Sequence, residues 1–473
     1  MKNNLPNYLM AALLLILFSC KEQKKKQDVS DNIMMRFSYD NVVPADFPKL
    51  NIPGFNFPED STILNQWIHE MDTEKIYLHG WGIWAGLTAL TSQKIPGDTR
   101  NLRVFETWLT PEEMIDSIKN KPIKRSNRSN LNVPNQFTHF ASKQKTVNDS
   151  IFESVSYSPG AAKFAIENKI FMATTLYDMA KKENRTEIPF FPTDAITIKP
   201  VFKLLPTSGG ERQFDIATWP GTIDSLAAFP EKDWGSYVTV DVDNNVNGEN
   251  DVYPLEDFIH FKLNDEDAYF LNEEFSENTG NQFNAKPGDI AILVGMHVTS
   301  REITNWTWQT FWWSPEPDNP SAPSSKSIAD ARPDELEGAA RHYAMSVAYY
   351  MVDPNEPYSG QNISGTPNYA FNPYLEAGFG PKVFDDAISF VDTEGGKIDT
   401  YAGVRTNCMS CHRMASVNPD GLSTSSISKT PYVGNSYVSR SDKIFDGQLL
   451  LDFAWSIQGN VDTTGIKAYL EQQ

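Results

Sequence analysis

Only three of the 473 residues are cysteines: Cys408 and Cys411, three positions apart, and Cys20 far upstream. Three cysteines can make at most one disulfide, so a chain of this length must hold its fold chiefly by packing. The material is present, since hydrophobic residues make up 40% and aromatic residues 12% of the chain. That composition excludes global disorder and a multi-span membrane protein. Basic residues number 41 against 61 acidic ones, a formal net charge of −20, which argues against a nucleic-acid partner. At roughly 150 residues per domain, the length predicts two or three domains.

Residues 1–20 read as an export signal. Lys2 supplies the positive charge, and Tyr8 to Phe18 is an apolar run too short for the roughly 20 residues that a membrane span needs. The run ends at Leu17-Phe18-Ser19-Cys20, which resembles a bacterial lipobox, and residues 21–35 form a polar tether. The expectation is a cell-envelope lipoprotein that faces the periplasm, anchored to a membrane by acyl chains on Cys20. An uncleaved anchor, or a soluble exported protein in which Cys20 is incidental, is the alternative.

The other two cysteines lie in Asn407-Cys408-Met409-Ser410-Cys411-His412. Cys-x-x-Cys-His is the attachment signature of a c-type haem. Two thiols at this spacing can add to the two vinyl groups of one porphyrin, and the adjacent histidine can serve as proximal iron ligand. Three other uses compete. A thioredoxin-like pair wants a strand-to-helix context, whereas Gly403 to Asn407 reads as a loop. A zinc site wants four ligands, and no second Cys-x-x-Cys or spaced histidine pair exists. A disulfide across two residues would be strained. Export to the periplasmic side suits covalent haem attachment, so one covalent haem c at Cys408, Cys411 and His412 is the expectation.

On these residues the C-terminal region resembles a class I-type cytochrome c domain, and the chain as a whole resembles the large single-haem bacterial cytochrome c family. The aromatic block His297 to Trp313 and the segment Phe371-Asn-Pro-Tyr-Leu-Glu-Ala377 add to the resemblance. It implies electron transfer with redox protein partners. The chain departs from the small cytochromes in its sixth ligand. After His412 there is one methionine, Met414, too close to cross the haem, and no histidine. The distal ligand must come from upstream, with Met345 and His297 as candidates, or be a lysine such as Lys429 or Lys443, or be absent. His69, His79, His139, His260 and His342 are read first as structural histidines.

The expected fold class is α+β. A β-rich N-terminal and central domain with helices spans 36–313, with no role legible. Within it, helices are expected at 61–74, from Thr110-Pro111 and at 161–182, and strands at 195–205, 237–242, 258–263 and 290–298. Trp81 and Trp84 are expected in the core, Asp241 to Gly248 as a polar turn that imitates a calcium loop, and the basic stretch 118–150 as a solvated loop. A Pro- and Ser-rich linker follows at 314–333. A mainly α, cytochrome c-like haem domain is expected at 334–473, with helices at 334–352 and 441–457 and an insertion at 355–404. The functional expectation is a membrane-tethered periplasmic cytochrome. A haem enzyme or small-gas binder with an open sixth site is one alternative; another is an oxidoreductase whose N-terminal domain binds substrate and uses the haem as electron outlet.

Overall fold

The computed structural model describes residues 42–95, 100–123, 151–222, 229–245, 251–279, 284–353, 365–379, 403–424, 427, 430 and 432–473. Cys20, the leader and the tether lie outside the described residues, as do residues 124–150, His139, Lys429 and most of 355–404.

Asp60 opens helix α1 (Ser61–Glu70) by accepting from the Thr62 amide at 2.7 Å. Leu64, Trp67 and Ile68 are its buried residues, and Met71, at φ 55°, ends it earlier than periodicity predicts. Asp72 then caps α2 (Thr73–Thr88), which carries Trp81 and Trp84 fully buried, as expected of core residues. A Cβ on Gly82 would lie 2.2 Å from Phe55, so the absence of a side chain lets that ring press on the helix backbone. Thr110 and Glu113 form a capping box at the start of α3 (Pro111–Ile118), as Thr-Pro-Glu-Glu predicts.

The centre is an antiparallel sheet. Strands β1 (Ile151–Glu153) and β2 (Ser156–Tyr157) are followed by α4 (Pro159–Glu167), α5 (Ala173–Lys181) and β3 (Ile196–Leu205). The single helix expected over 161–182 is two, parted where Lys169 takes φ 51°. A small separate sheet holds β4 (Gln213–Ala217), β5 (Tyr237–Asp241) and β6 (Val252–Pro254). Then come β7 (His260–Lys262), α6 (Asp265–Thr279), β8 (Ile290–Ser300), β9 (Thr307–Trp313), α7 (Lys326–Asp330) and β10 (Tyr343–Ala348). The main sheet runs β1-β3-β8-β9-β10, with β2 also on β3 and β7 also on β8. The α+β class holds, and the four predicted strand segments are strands.

The remaining described elements are short: β11 (Val352–Asp353), β12 (Thr366–Pro367), α8 (Cys408–His412), β13 (Ser416–Val417), β14 (Leu449–Leu450), α9 (Trp455–Gly459) and α10 (Ile466–Leu470). Two long helices expected here do not form, so the described part of 334–473 is not mainly α. At 334–352, Gly338 at φ 58° and a 3₁₀ turn precede β10, whose Tyr-Ala-Met-Ser-Val-Ala pairs with the aromatic β9. A short apolar run fits either period, and here the waiting strand edge decides. At 441–457, positive φ at Gly447, Asp452 and Phe453 breaks any helix, although Leu449, Leu450, Phe453 and Ile457 are all buried. The segment 314–333 is not a linker between separate sheets. It joins β9 to its neighbour β10, and its Ala322 and Ile328 carbonyls accept from Trp219 and Trp81 Nε1 at 2.6 and 2.7 Å.

The sheet parts two cores. On one face Phe311 and Met345 meet α2, with Trp84 stacked on Phe311 at a 4.3 Å centroid distance. On the other, Trp308 and Ala348 meet residues of α4, α5 and the C-terminal segment, including Met409, Leu451 and Phe453.

Candidate functional site

Asn407 sets up the Cys-x-x-Cys-His turn. It is fully buried, its side chain accepts from the Ser410 amide at 3.0 Å, and its Nδ2 donates to the Asn368 and Tyr350 carbonyls at 2.5 and 3.2 Å. The capped turn makes α8, in which Cys408 and Cys411 stand at i and i+3 and so share a face. Both are free thiols; Cys408 Sγ donates to the Ala370 carbonyl at 3.2 Å, and burial pushes both thiols well up from their ordinary range.

His412 ends the turn with a defined tautomer. Its Nδ1 donates to the Phe453 carbonyl at 2.9 Å, which leaves the Nε2 lone pair as the coordinating position. Burial lowers its pKa to about 3, so the ring is a neutral imidazole, the form in which histidine can act as a metal ligand. Trp308 packs against it with ring centroids 4.3 Å apart, and Trp455 Nε1 donates to the Cys411 carbonyl at 3.1 Å.

Cys408, Cys411 and His412 all line one cavity of about 330 Å³. Its walls are largely apolar, from Val155, Trp306, Trp308, Phe379, Phe453 and Trp455 among others. Its floor is the main sheet. Lys199 pairs in register with His297, and His297 with Thr310, while Thr299 pairs with both Thr197 and Trp308. Directly opposed residues share a face, so Lys199, His297, Thr197, Thr299 and Trp308 all belong to the cavity side. Two polar pairs stand there: His297 Nε2 lies 3.0 Å from Glu376 Oε1, and Lys199 Nζ lies 2.9 Å from Glu153 Oε2. Glu376 is itself oriented, since Oε2 accepts from the Asn372 amide at 2.7 Å.

The two distal candidates part company. His297 faces the cavity with the Cys-x-x-Cys-His turn. Met345 does not. It lies on β10 rather than on a helix, opposite Phe311 and beyond it Met296, which places it on the other sheet face. There its sulfur sits 2.8 Å from where a Cβ on Gly80 would be, buried against α2. Strand parity therefore removes Met345 as an iron ligand from this cavity. Met414 is buried in a separate apolar cluster with Val433 and Val438, and Lys443, exposed at the start of a 3₁₀ turn, is not among the cavity-lining residues.

The remaining described histidines have other occupations. His79 bonds Tyr349 and Glu302 at 2.7 and 3.1 Å inside the α2 face, His260 bonds the Phe258 carbonyl at 2.8 Å, and His342 pairs with Asp257 at 3.3 Å. His69 is exposed on α1. In the calcium-like loop, Asp241 accepts from the Asp243 and Asn245 amides and from Gln213 Nε2, the satisfied pattern of a polar turn.

Sequence reasoning missed Glu153, Lys199, Glu376 and Asp452, all of which line the cavity. A lysine inside the alternating β-branched run Ile196 to Leu205 was the one legible signal.

The donor set fits a covalently attached haem: two thiols on one face, a neutral imidazole with its coordinating nitrogen set by a hydrogen bond, and an apolar cavity beside all three. Among the described residues no group of three or more His, Cys, Asp or Glu is arranged to hold a metal ion. A haem asks less of the protein, because the porphyrin nitrogens hold the iron and the chain supplies only axial ligands. Among the described residues no helix is long and apolar enough to cross a membrane. Comparison with family models, with curated proteins and with solved structures finds no match to this chain, so its functional reading rests on the site alone.

Proposed function

We propose that the chain is a c-type haem protein of the bacterial cell envelope, tethered to a membrane through Cys20 and passing electrons to and from redox protein partners. One haem is joined to Cys408 and Cys411, with His412 as proximal ligand. The observation that carries the reading is the cavity of about 330 Å³ onto which both thiols and His412 converge, His412 being held through Nδ1 by the Phe453 carbonyl. In this reading the likeness to a class I-type cytochrome c is confined to the Cys-x-x-Cys-His turn, and residues of the main sheet, Lys199, His297 and Trp308, would line the rest of the haem cavity.

When bound, the haem supplies an iron that alternates between ferric and ferrous states. The chain's residues do the rest. The thiols fix the group in place, and the Phe453 carbonyl holds the imidazole at one angle. Trp308, Phe453 and Trp455 exclude water, which strengthens every electrostatic interaction in the site. The excess of acidic residues favours basic redox partners and makes their association sensitive to salt.

A second reading, a haem enzyme or small-gas binder with an open sixth position, draws on the two polar pairs His297–Glu376 and Lys199–Glu153 on the cavity floor. Optical spectra of the purified protein, oxidised and reduced, with and without carbon monoxide, test both. A covalent pigment indifferent to carbon monoxide supports the carrier with its iron closed; ready binding transfers the lead to the second reading, and absence of covalent haem removes both. Cys20→Ser is expected to release the protein from membranes.

A further inference from the structure

Asp452 and Phe453 both take left-handed backbone angles, φ 47° and 68°. Side chains with a Cβ avoid that region, and such residues persist only where the surroundings hold them. Here the kink has a product. It turns the chain after β14 so that the Phe453 carbonyl meets His412 Nδ1 at 2.9 Å, and Trp455, just beyond, reaches the Cys411 carbonyl at 3.1 Å.

The Asp452 side chain supplies the hold. It is 1% exposed, and its Oδ2 accepts from Arg301 Nε at 3.2 Å and from the Phe191 amide at 3.1 Å. Arg440 Nη2 lies 3.6 Å from Oδ1. Arg301, 7% exposed, directly follows β8, the strand that carries His297 and Thr299 into the cavity, and its amide donates to the Ala195 carbonyl just before β3. One buried ion pair thus ties the cavity floor to the segment that orients the histidine. Arg413 completes the enclosure, its guanidinium 4.2 Å from the centre of the Phe453 ring.

We propose that Asp452 is a positioning residue for His412: with Arg301 it holds the left-handed kink that aims the Phe453 carbonyl at Nδ1. The inference rests on the reading of Cys408, Cys411 and His412 as a haem site. A hydrogen bond to the outer nitrogen of a ligating histidine fixes the ring and raises its basicity. A stronger imidazole donor favours the ferric state, so loosening the kink raises the midpoint potential.

The test compares the full-length parent with Asp452→Ala, Asp452→Asn, Arg301→Lys and a packing control, Leu102→Ala, whose buried side chain belongs to a separate cluster with Val42 and Ile95 outside the cavity lining. Covalent haem is measured first, by the mass of the denatured chain and its pyridine haemochrome. Its absence from the parent sinks the underlying reading and this inference with it. With haem attached, Asp452→Ala is expected to raise the midpoint potential and to move the hyperfine-shifted ring-proton signals of His412. Asp452→Asn keeps an oxygen for the Phe191 amide, so it and Arg301→Lys give smaller changes of the same sign, and they carry the test should the alanine variant not fold. Leu102→Ala lowers stability and moves neither signal. An unchanged potential in haem-loaded Asp452 variants, or an equal shift in Leu102→Ala, overturns the assignment while leaving the haem site intact.

Discussion

On the α2 face of the main sheet the interior is closed. Trp84 stacks on Phe311, Met345 fills the space over Gly80, and His79, Glu302, Tyr349, Thr307 and Gln309 share a buried hydrogen-bond network. On the opposite face the same strands carry Lys199, His297 and Trp308 into a cavity shared with Cys408, Cys411 and His412. Neighbours in sequence end in different chemistry: Met296 packs, His297 faces the cavity. In a strand one position is one face, so function here follows parity rather than residue type. The network on the closed face includes a serine, a histidine and a glutamate, yet both Ser300 and His79 bond the carboxylate of Glu302. That order, buried away from the cavity, is structural rather than nucleophilic.

The comparison breaks most severely at the proximal turn. Cys408→Ser combined with Cys411→Ser is expected to abolish covalent haem entirely, read by haem staining of the denatured chain; persistence of the pigment refutes the site. On the closed face, Trp84→Ala should cost about 3–5 kcal/mol of unfolding free energy, measured in denaturant, while pigment per chain stays unchanged. A fall in attached haem of the same proportion would show that the two faces are not separable.

The distal candidates give a finer contrast. His297→Ala is expected to change the spin state or the carbon monoxide response of the reduced protein, with little loss of stability. Met345→Leu should leave the spectrum untouched and cost less than about 1.5 kcal/mol. If the methionine variant alters the spectrum and the histidine variant does not, the strand register described here is wrong. The smallest effect concerns pH. Burial lowers the His260 pKa below its ordinary value, so the folded protein resists the proton. The unfolded chain takes it up below about pH 6.5, so stability falls as pH drops through that value and is flat above it. His260→Gln should reduce that slope in denaturant titrations at successive pH values; an unchanged slope would mean that His260 is not shielded from solvent.

What was legible in the sequence depended on how local the cause is. Thr110-Pro111-Glu112-Glu113 starts a helix because a cap and a proline act within one turn. The strands at 196–205 and 290–300 were readable because β-branched runs bounded by turn residues have few other uses. Residues 334–352 misled because Ala, Met and Val suit either period, and β9 offered a partner edge that sequence spacing cannot show. Residues 441–457 misled for a different reason: their apolar residues are indeed buried, but by a strand pair, a kink and a short helix in turn.

The sequence by itself determined the chemistry on offer: Cys408, Cys411 and His412 in one turn, at most one disulfide from three cysteines, and a chain rich in aromatic residues. Those facts follow from covalent spacing and composition, which no tertiary contact can alter. Only the tertiary structure decided what faces that turn. It put His297 in the cavity and Met345 behind the sheet, brought Glu376 to His297 across 79 positions, and bound Asp452 to Arg301 across 151. The physical reason is that side-chain direction in a strand depends on register, and register is set by pairing between segments far apart in the chain.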